Sequence, residues 1–120
     1  MNSQINATTG EPDIALAKAW CNGPKCEIEF VPGFPKGDYR VLSTDYVNYV
    51  VVYSCTDIPF VGKFQAAWIL TRTQTIPAEQ LQSYLALLKE RVPEYNQANL
   101  YFAKQGAQCN YPKDATLFLE

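Results

Sequence analysis

The sequence predicts an antiparallel all-β domain with one helix, its sheet curled toward a barrel. Three observations predict it. Across residues 26–72, stretches such as "KCEIEFV" alternate apolar with polar side chains, the period of a half-buried strand. Polar or Gly/Pro breaks cut these stretches into hairpin-sized pieces. The period then changes once, to an amphipathic-helix stripe formed by Leu81, Tyr84, Leu85, Leu88 and Val92. A single helix cannot cover both faces of five or six strands. The sheet must therefore curl on itself or meet a second sheet, which favours a barrel.

Length and composition narrow the function classes. At 120 residues the chain has room for one domain and one core. Its net charge is −2 without a basic cluster, so it lacks the positive stripe that nucleic-acid binding requires. There are no histidines, which removes His-based catalysis and His metal ligation. No apolar run is long enough for a membrane-spanning helix, and the first 20 residues do not read as a signal peptide. Four cysteines, Cys21, Cys26, Cys55 and Cys109, fit disulfides better than zinc, whose usual C-x-x-C spacing is missing. Buried free thiols are the other reading. Asn6-Ala7-Thr8 is an N-glycosylation sequon. With the cysteines it points to a secreted protein or an organelle lumen.

The elements follow in order. Residues 2–10 are polar and β-tolerant, a candidate strand. Residues 10–24, with Gly10, Pro12, Gly23 and Pro24, read as a loop that holds Trp20. "KCEIEFV" is a strand with Cys26, Ile28 and Phe30 on one side, and "PGFPKGD" breaks it. "YRVLSTDY" and "NYVVVYSC" form a hairpin about Asp45 to Asn48, and an aspartate in such a turn ordinarily accepts local backbone N–H groups. Tyr46 and Tyr49 read as packing groups around that pivot. "DIPFVG" turns again, and "KFQAAWILTR" reads as a further strand, with helix the alternative that its alanines leave open. The helix spans 77–92, with Pro77 in its first turn, Glu79 near the positive end of its dipole and Pro93 as its stop. "NLYFAKQ", at 99–104, is a short closing strand, and 110–120 is a tail. Neither an internal repeat nor a low-complexity segment interrupts the single domain.

Two of these pieces carry a resemblance. "STDYVNYVVVYSC" is similar to the Thr-Asp-Tyr-x-x-Tyr hairpin of the lipocalin family, in its apolipoprotein D and bilin-binding branch. "AAWILTR" is similar to that family's last long strand, which ends in an arginine. The helix follows at the expected distance, and the likeness covers residues 26–109, with a weaker part at 2–10. It implies an up-and-down β-barrel, a calyx of eight strands. The family's first-strand Gly-x-Trp motif does not occur among the 71 residues ahead of Arg72. The resemblance therefore implies an incomplete barrel, closed by a missing N-terminal segment or by a protein partner.

Alternation then proposes a ligand-binding wall. With Arg40 toward water, Tyr39, Val41 and Ser43 point inward. The resemblance pairs Cys55 with a cysteine outside the barrel, which turns Cys55, Val51 and Tyr53 outward and leaves Val50, Val52 and Ser54 inward. With Gln65 outward, Phe64, Ala66, Trp68 and Leu70 point inward, joined by Ile28 and Phe30. This is the makeup of a pocket for a small hydrophobic ligand, apolar with a few hydroxyls. The same pattern also suits a solid core, because periodicity does not separate the two. The hollow cup is what the resemblance implies, and with it a bound lipid, sterol, retinoid or pigment as cargo.

The resemblance also lays Arg72 across the indole of the opening tryptophan, closing the barrel's base, which here requires an indole from elsewhere. The helix is expected on the outer wall, against Ala67, Ile69 and Val51. It lacks the basic face of a membrane-surface helix, so membrane insertion is not expected. Four cysteines allow three connectivities, and Cys21–Cys26 makes a plausible local loop. By the resemblance, Cys55 and Cys109 each pair with a cysteine in the missing part. No nucleophile–base pair, carboxylate dyad or metal site is legible, so the chain reads as a binder and not an enzyme. The competing reading is a structural subunit of a larger assembly, with the missing strands supplied by another chain.

Overall fold

The computed structural model describes residues 2–6 and 8–109. The expected tail at 110–120 lies outside them. Among the described residues, seven strands and one α-helix form in chain order: β1 (Asn2–Ile5), β2 (Pro12–Ala15), β3 (Lys18–Asn22), β4 (Lys25–Glu29), β5 (Gly37–Thr44), β6 (Tyr49–Ile58), β7 (Gly62–Thr71) and α1 (Ala78–Arg91). β1 and β2 make a two-stranded antiparallel ribbon, and β3 to β7 make a five-stranded meander in sequence order. Among the described residues the meander does not close, and β3 and β7 are its two edges.

Two expectations about elements are corrected. The stretch at 10–24 is not a loop: it holds β2 and β3, and Trp20 sits in β3. The glycines and prolines mark the tight turns between short strands, and strand pairing supplies the regularity that composition hides. The closing strand at 99–104 does not form. A single 3-10 turn, Gln97–Asn99, occurs there, and residues 101–105 are irregular. A few extended residues become a strand only when an edge hydrogen-bonds to them.

The hairpin pivot is built as its residues require. Asp45 Oδ1 accepts the backbone N–H groups of Val47 (3.0 Å), Asn48 (2.7 Å) and Tyr49 (3.1 Å), while its Oδ2 accepts Asn48 Nδ2 at 2.7 Å. These bonds replace the ladder that the turn interrupts. The Asn48 N–H above all holds the carboxyl well below the usual carboxylate range. Tyr46 adopts a positive φ of 65° at the apex.

The core lies between α1 and one face of β6 and β7. Val51, Tyr53, Leu88, Val92 and Tyr95 are buried together, with Leu42, Tyr49, Ala67, Ile69, Tyr84 and Leu87 packed around them. Tyr49 stacks on Tyr84 with centroids 4.2 Å apart, and Tyr53 meets Tyr95 edge-on at 6.2 Å. The helix thus covers the outward residues Val51, Ala67 and Ile69, as the apolar character of that face implied. It starts after Pro77, whose carbonyl accepts the Leu81 N–H at 3.0 Å, and it ends at Val92 before Pro93.

Candidate ligand-binding wall

The side of the sheet away from α1 is the open face, and strand register assigns its members. β6 and β7 pair Val50 with Leu70, Val52 with Trp68, Ser54 with Ala66 and Thr56 with Phe64. All eight therefore share one face. Val41 joins them opposite Val52, and Tyr39, two residues earlier on β5, lies on the same side. On β4, Cys26 stands opposite Tyr39 and Ile28 opposite Gly37, so both are on the open face. Phe30 lies just beyond β4 and is exposed.

Ser43 is the exception, and its expected inward direction is corrected. The β5–β6 register shifts between Val41 and Ser43, so Ser43 stands opposite Val51 on the helix side. There its Oγ lies 2.9 Å from the Tyr49 hydroxyl. Leu42 packs against the helix core as well, so two consecutive β5 residues serve one face. This is a β-bulge, which breaks period-2 alternation by one residue. Thr44, opposite Val50, takes the open-face place that alternation had assigned to Ser43.

The open face is graded from a sealed floor to a greasy, accessible surface. Val52 is fully buried and Ser54 nearly so, while Trp68 is 40% exposed, Leu70 45% and Phe64 58%. Tyr39 and Trp68 lie stacked, centroids 6.1 Å apart and planes at 27°. Partial burial pushes the Tyr39 phenol pKa above its ordinary value. Along the free edge of β7 an open groove of ≈ 1030 Å³ is lined from both faces, by Trp68 and Leu70 on the open side and Ala67 and Ile69 on the helix side, with Leu81 and Leu85 of α1 and with Leu100, Tyr101 and Phe102. Sequence reasoning missed these last three as groove members because it placed them in a paired strand. Their apolar side chains, exposed in the case of Tyr101 and Phe102, were the available signal.

Arg72 follows directly after β7. Its backbone N–H donates to the Asn48 carbonyl at 2.9 Å, and its Nε donates to the Val47 carbonyl at 3.3 Å. The guanidinium thus stands at the Asp45–Asn48 end of the sheet, exposed. Cys21 and Cys26 are bonded across β3 and β4, as their spacing suggested. Cys55 and Cys109 are free thiols; Cys55 is half-buried against the helix core, and the Cys109 Sγ lies 3.4 Å from the Lys104 carbonyl. Asn6 accepts the Thr8 and Thr9 N–H groups through Oδ1 and donates from Nδ2 to Asp13 Oδ2 at 3.1 Å. Among the described residues, no three metal-binding side chains cluster, and no helix is long and apolar enough to cross a membrane.

A family model described as the lipocalin / cytosolic fatty-acid binding protein family matches residues 22–106, which hold β4 to β7 and the helix. The chain belongs to this family. Among individual lipocalins, apolipoprotein D of Mus musculus is 40% identical over 57 residues, covering 48% of this chain and 30% of the mouse protein. Apolipoprotein D of Macaca fascicularis is 44% identical over 55 residues, covering 46% and 29%. The Lazarillo protein of Schistocerca americana is 35% identical over 72 residues, covering 59% of this chain and 33% of its own length. Solved structures of apocrustacyanin C1 and lobster apocrustacyanin A1 superpose with TM-scores of 0.74 and 0.73. Each is 23% identical and covers 91% of this chain, which spans 60% of the crustacyanin chain. These likenesses support the apolipoprotein D-like branch of the family, and the meander, unclosed among the described residues, is consistent with an incomplete lipocalin fold. The matched segments span about a third of the curated relatives.

Proposed function

We propose that the open face of β4 to β7 is the binding wall for a small hydrophobic ligand, a lipid, sterol, retinoid or pigment. The observation that carries this reading is the half-exposure of Trp68, Leu70 and Phe64 above the buried Val52. A solid core would bury such side chains, and a free surface would not carry them in register. Tyr39 and the buried Ser54 supply the hydroxyls that orient a ligand, and Ile28, Val41, Val50 and Ala66 extend the apolar area. Covering ~200 Å² of ligand at ~25 cal/mol per Å² favours binding by ~5 kcal/mol before ordering costs.

Further polypeptide completes the enclosure. Among the described residues both meander edges are unpaired, and a wall with one side open leaves its ligand wet. Arg72, at the end of β7, is where an indole from that polypeptide would be received. The reading is of a binder and not a catalyst, in keeping with its relatives. Secretion, and a glycan on Asn6, agree with the Cys21–Cys26 disulfide.

The test is titration of the folded chain with a panel of apolar ligands, following Trp68 emission. Saturable quenching that disappears in Trp68→Ala supports the wall. Quenching that survives in Trp68→Ala, or none across the panel, ends it. The alternative, a purely structural lipocalin subunit, rests on the same open edges and predicts a chain that aggregates unless a partner covers β7.

A further inference from the structure

We propose that Asn22 is a deamidation site that the Cys21–Cys26 disulfide holds shut. While the bond is intact Asn22 keeps its side-chain amide; once a dithiol reduces the bond, Asn22 cyclises with Gly23 and becomes an acid.

The chemistry is set by one dipeptide. Of the chain's asparagines only Asn22 precedes a glycine. In the reaction the Gly23 backbone nitrogen bonds to the Asn22 Cγ, the Cγ–Nδ2 bond breaks, and the nitrogen's proton leaves with ammonia. Water then opens the five-membered imide. Attack at Cγ gives aspartate; attack at the Asn22 main-chain carbonyl gives isoaspartate, whose backbone runs through Cβ and Cγ. A bulky side chain on the following residue obstructs the first step, and Gly23 offers none. The space there is open, since a β-carbon on Gly23 would meet nothing within 4 Å. Asn22, Gly23 and Pro24 are all exposed, so water reaches the imide. Cys21 is exposed too, within reach of an attacking thiolate. The dithiol gives two electrons and two protons to the two cysteine sulfurs and closes its own disulfide.

Strand geometry is what holds Asn22 back. It is the last residue of β3 and stands opposite Lys25, next to the Cys21–Cys26 pair. Strand ψ lies near ~135°, and the Gly23 nitrogen reaches Cγ only when Asn22 rotates well away from that value. Gly23 sits between the paired residues at φ 60°, so the ladder does not tie its N–H. The constraint is therefore on Asn22 itself. The far side of the turn has its own anchor: Pro24 has a fixed φ, and its carbonyl accepts the Val41 N–H at 2.8 Å. The near side has less. β3 is an edge, exposed at all five residues and paired only with β4 among the described residues. The Lys36 ammonium, 4.3 Å from the Trp20 ring centroid, is a surface contact worth little. The strong tie is the disulfide, one residue from Asn22. Its reduction lets the end of β3 fray while the core on β6, β7 and α1 stays packed. Isoaspartate then lengthens the backbone between Cys21 and Gly23, which spoils the register that set Cys21 opposite Cys26. A reversible reduction thus becomes a permanent mark.

The experiment incubates the full chain at pH 8 with and without dithiothreitol and maps its peptides by mass. The oxidised chain should keep its amide. The reduced chain should convert Asn22 at least about tenfold faster, the scale set by losing a short-loop bridge. Enzymatic methylation of isoaspartate reads the same site independently. Asn22→Gln should abolish the conversion, and Cys21→Ser combined with Cys26→Ser should convert without reductant at the reduced chain's rate. Amide exchange on β6 and β7 should match in the two redox states, which separates opening of β3 from loss of the fold. Equal rates with and without reductant overturn the proposal. So does acceleration that comes only with lost protection of β6 and β7, or that reaches Asn48 equally, because global unfolding then exposes the site. Neither a ligand nor the completing polypeptide enters these steps, so quenching of Trp68 has no bearing on the outcome.

Discussion

Tyr39 and Trp68 stack across the β5–β6–β7 sheet with ring centroids 6.1 Å apart, on the face that the helix leaves open. Each ring shelters the other from water, so neither is free to rotate outward without losing about 0.5–1.5 kcal/mol of aromatic contact. Tyr39→Ala is expected to red-shift Trp68 emission and weaken any quenching ligand. Fluorescence in a Trp20→Phe background isolates that signal. An unchanged emission maximum would mean the stack does not persist in solution.

The same tyrosine sets a pH limit. Its folded pKa is raised by burial, so the folded state holds the proton where the unfolded chain has released it. Its contribution is complete below the unfolded value near ~10 and is lost as pH rises above it. Urea midpoints should fall from pH 9 to pH 11, and Tyr39→Phe should flatten that fall.

Asp45 behaves in the opposite sense. Its folded pKa is depressed, chiefly by the Asn48 N–H. Its stabilising contribution is present above the unfolded carboxylate value near ~3.9 and is lost as pH drops through the folded value. Asp45→Asn should lower the urea midpoint at pH 7 and narrow the difference between pH 7 and pH 2. Equal acid sensitivity in the two proteins would remove the pivot carboxylate from the account.

Leu88 is fully buried where the helix meets Val51 and Tyr53. Leu88→Ala leaves a cavity and should cost about 2–5 kcal/mol. Leu81→Ala, nearer the exposed start of α1, should cost less. Thermal melts of both variants test the ranking.

Cys21 and Cys26 should appear as a linked pair in non-reducing peptide mapping, while Cys55 and Cys109 take up iodoacetamide. Replacing Cys21 and Cys26 by serine should destabilise the chain by about 2 kcal/mol on the chain-entropy account of a short loop. Cys21 linked to Cys55 or Cys109 would overturn the β3–β4 pairing.

Much of this lipocalin is local and therefore legible in its residues. Alternation along "NYVVVYSC" and "AAWILT" sorted β6 and β7 into two faces, because successive strand side chains must point to opposite sides. The stripe from Leu81 to Val92 announced a helix that packs with its apolar side down. Asp45 announced its turn because a carboxylate there has backbone donors within reach. What depended on distant pairing was not legible. Strands β2 and β3 emerge from a Gly/Pro-rich stretch because neighbouring backbone receives them, and 101–105 stay irregular because, among the described residues, no strand edge pairs with them. The bulge at Leu42 and Ser43 comes from fitting β5 to β6 while serving the helix core, and that one-residue shift sent Ser43 to the helix side and Thr44 to the open face. Whether Trp68 and its neighbours would be sealed or accessible was likewise a tertiary matter: alternation assigns a side chain to a face, and only the assembled sheet decides what covers that face.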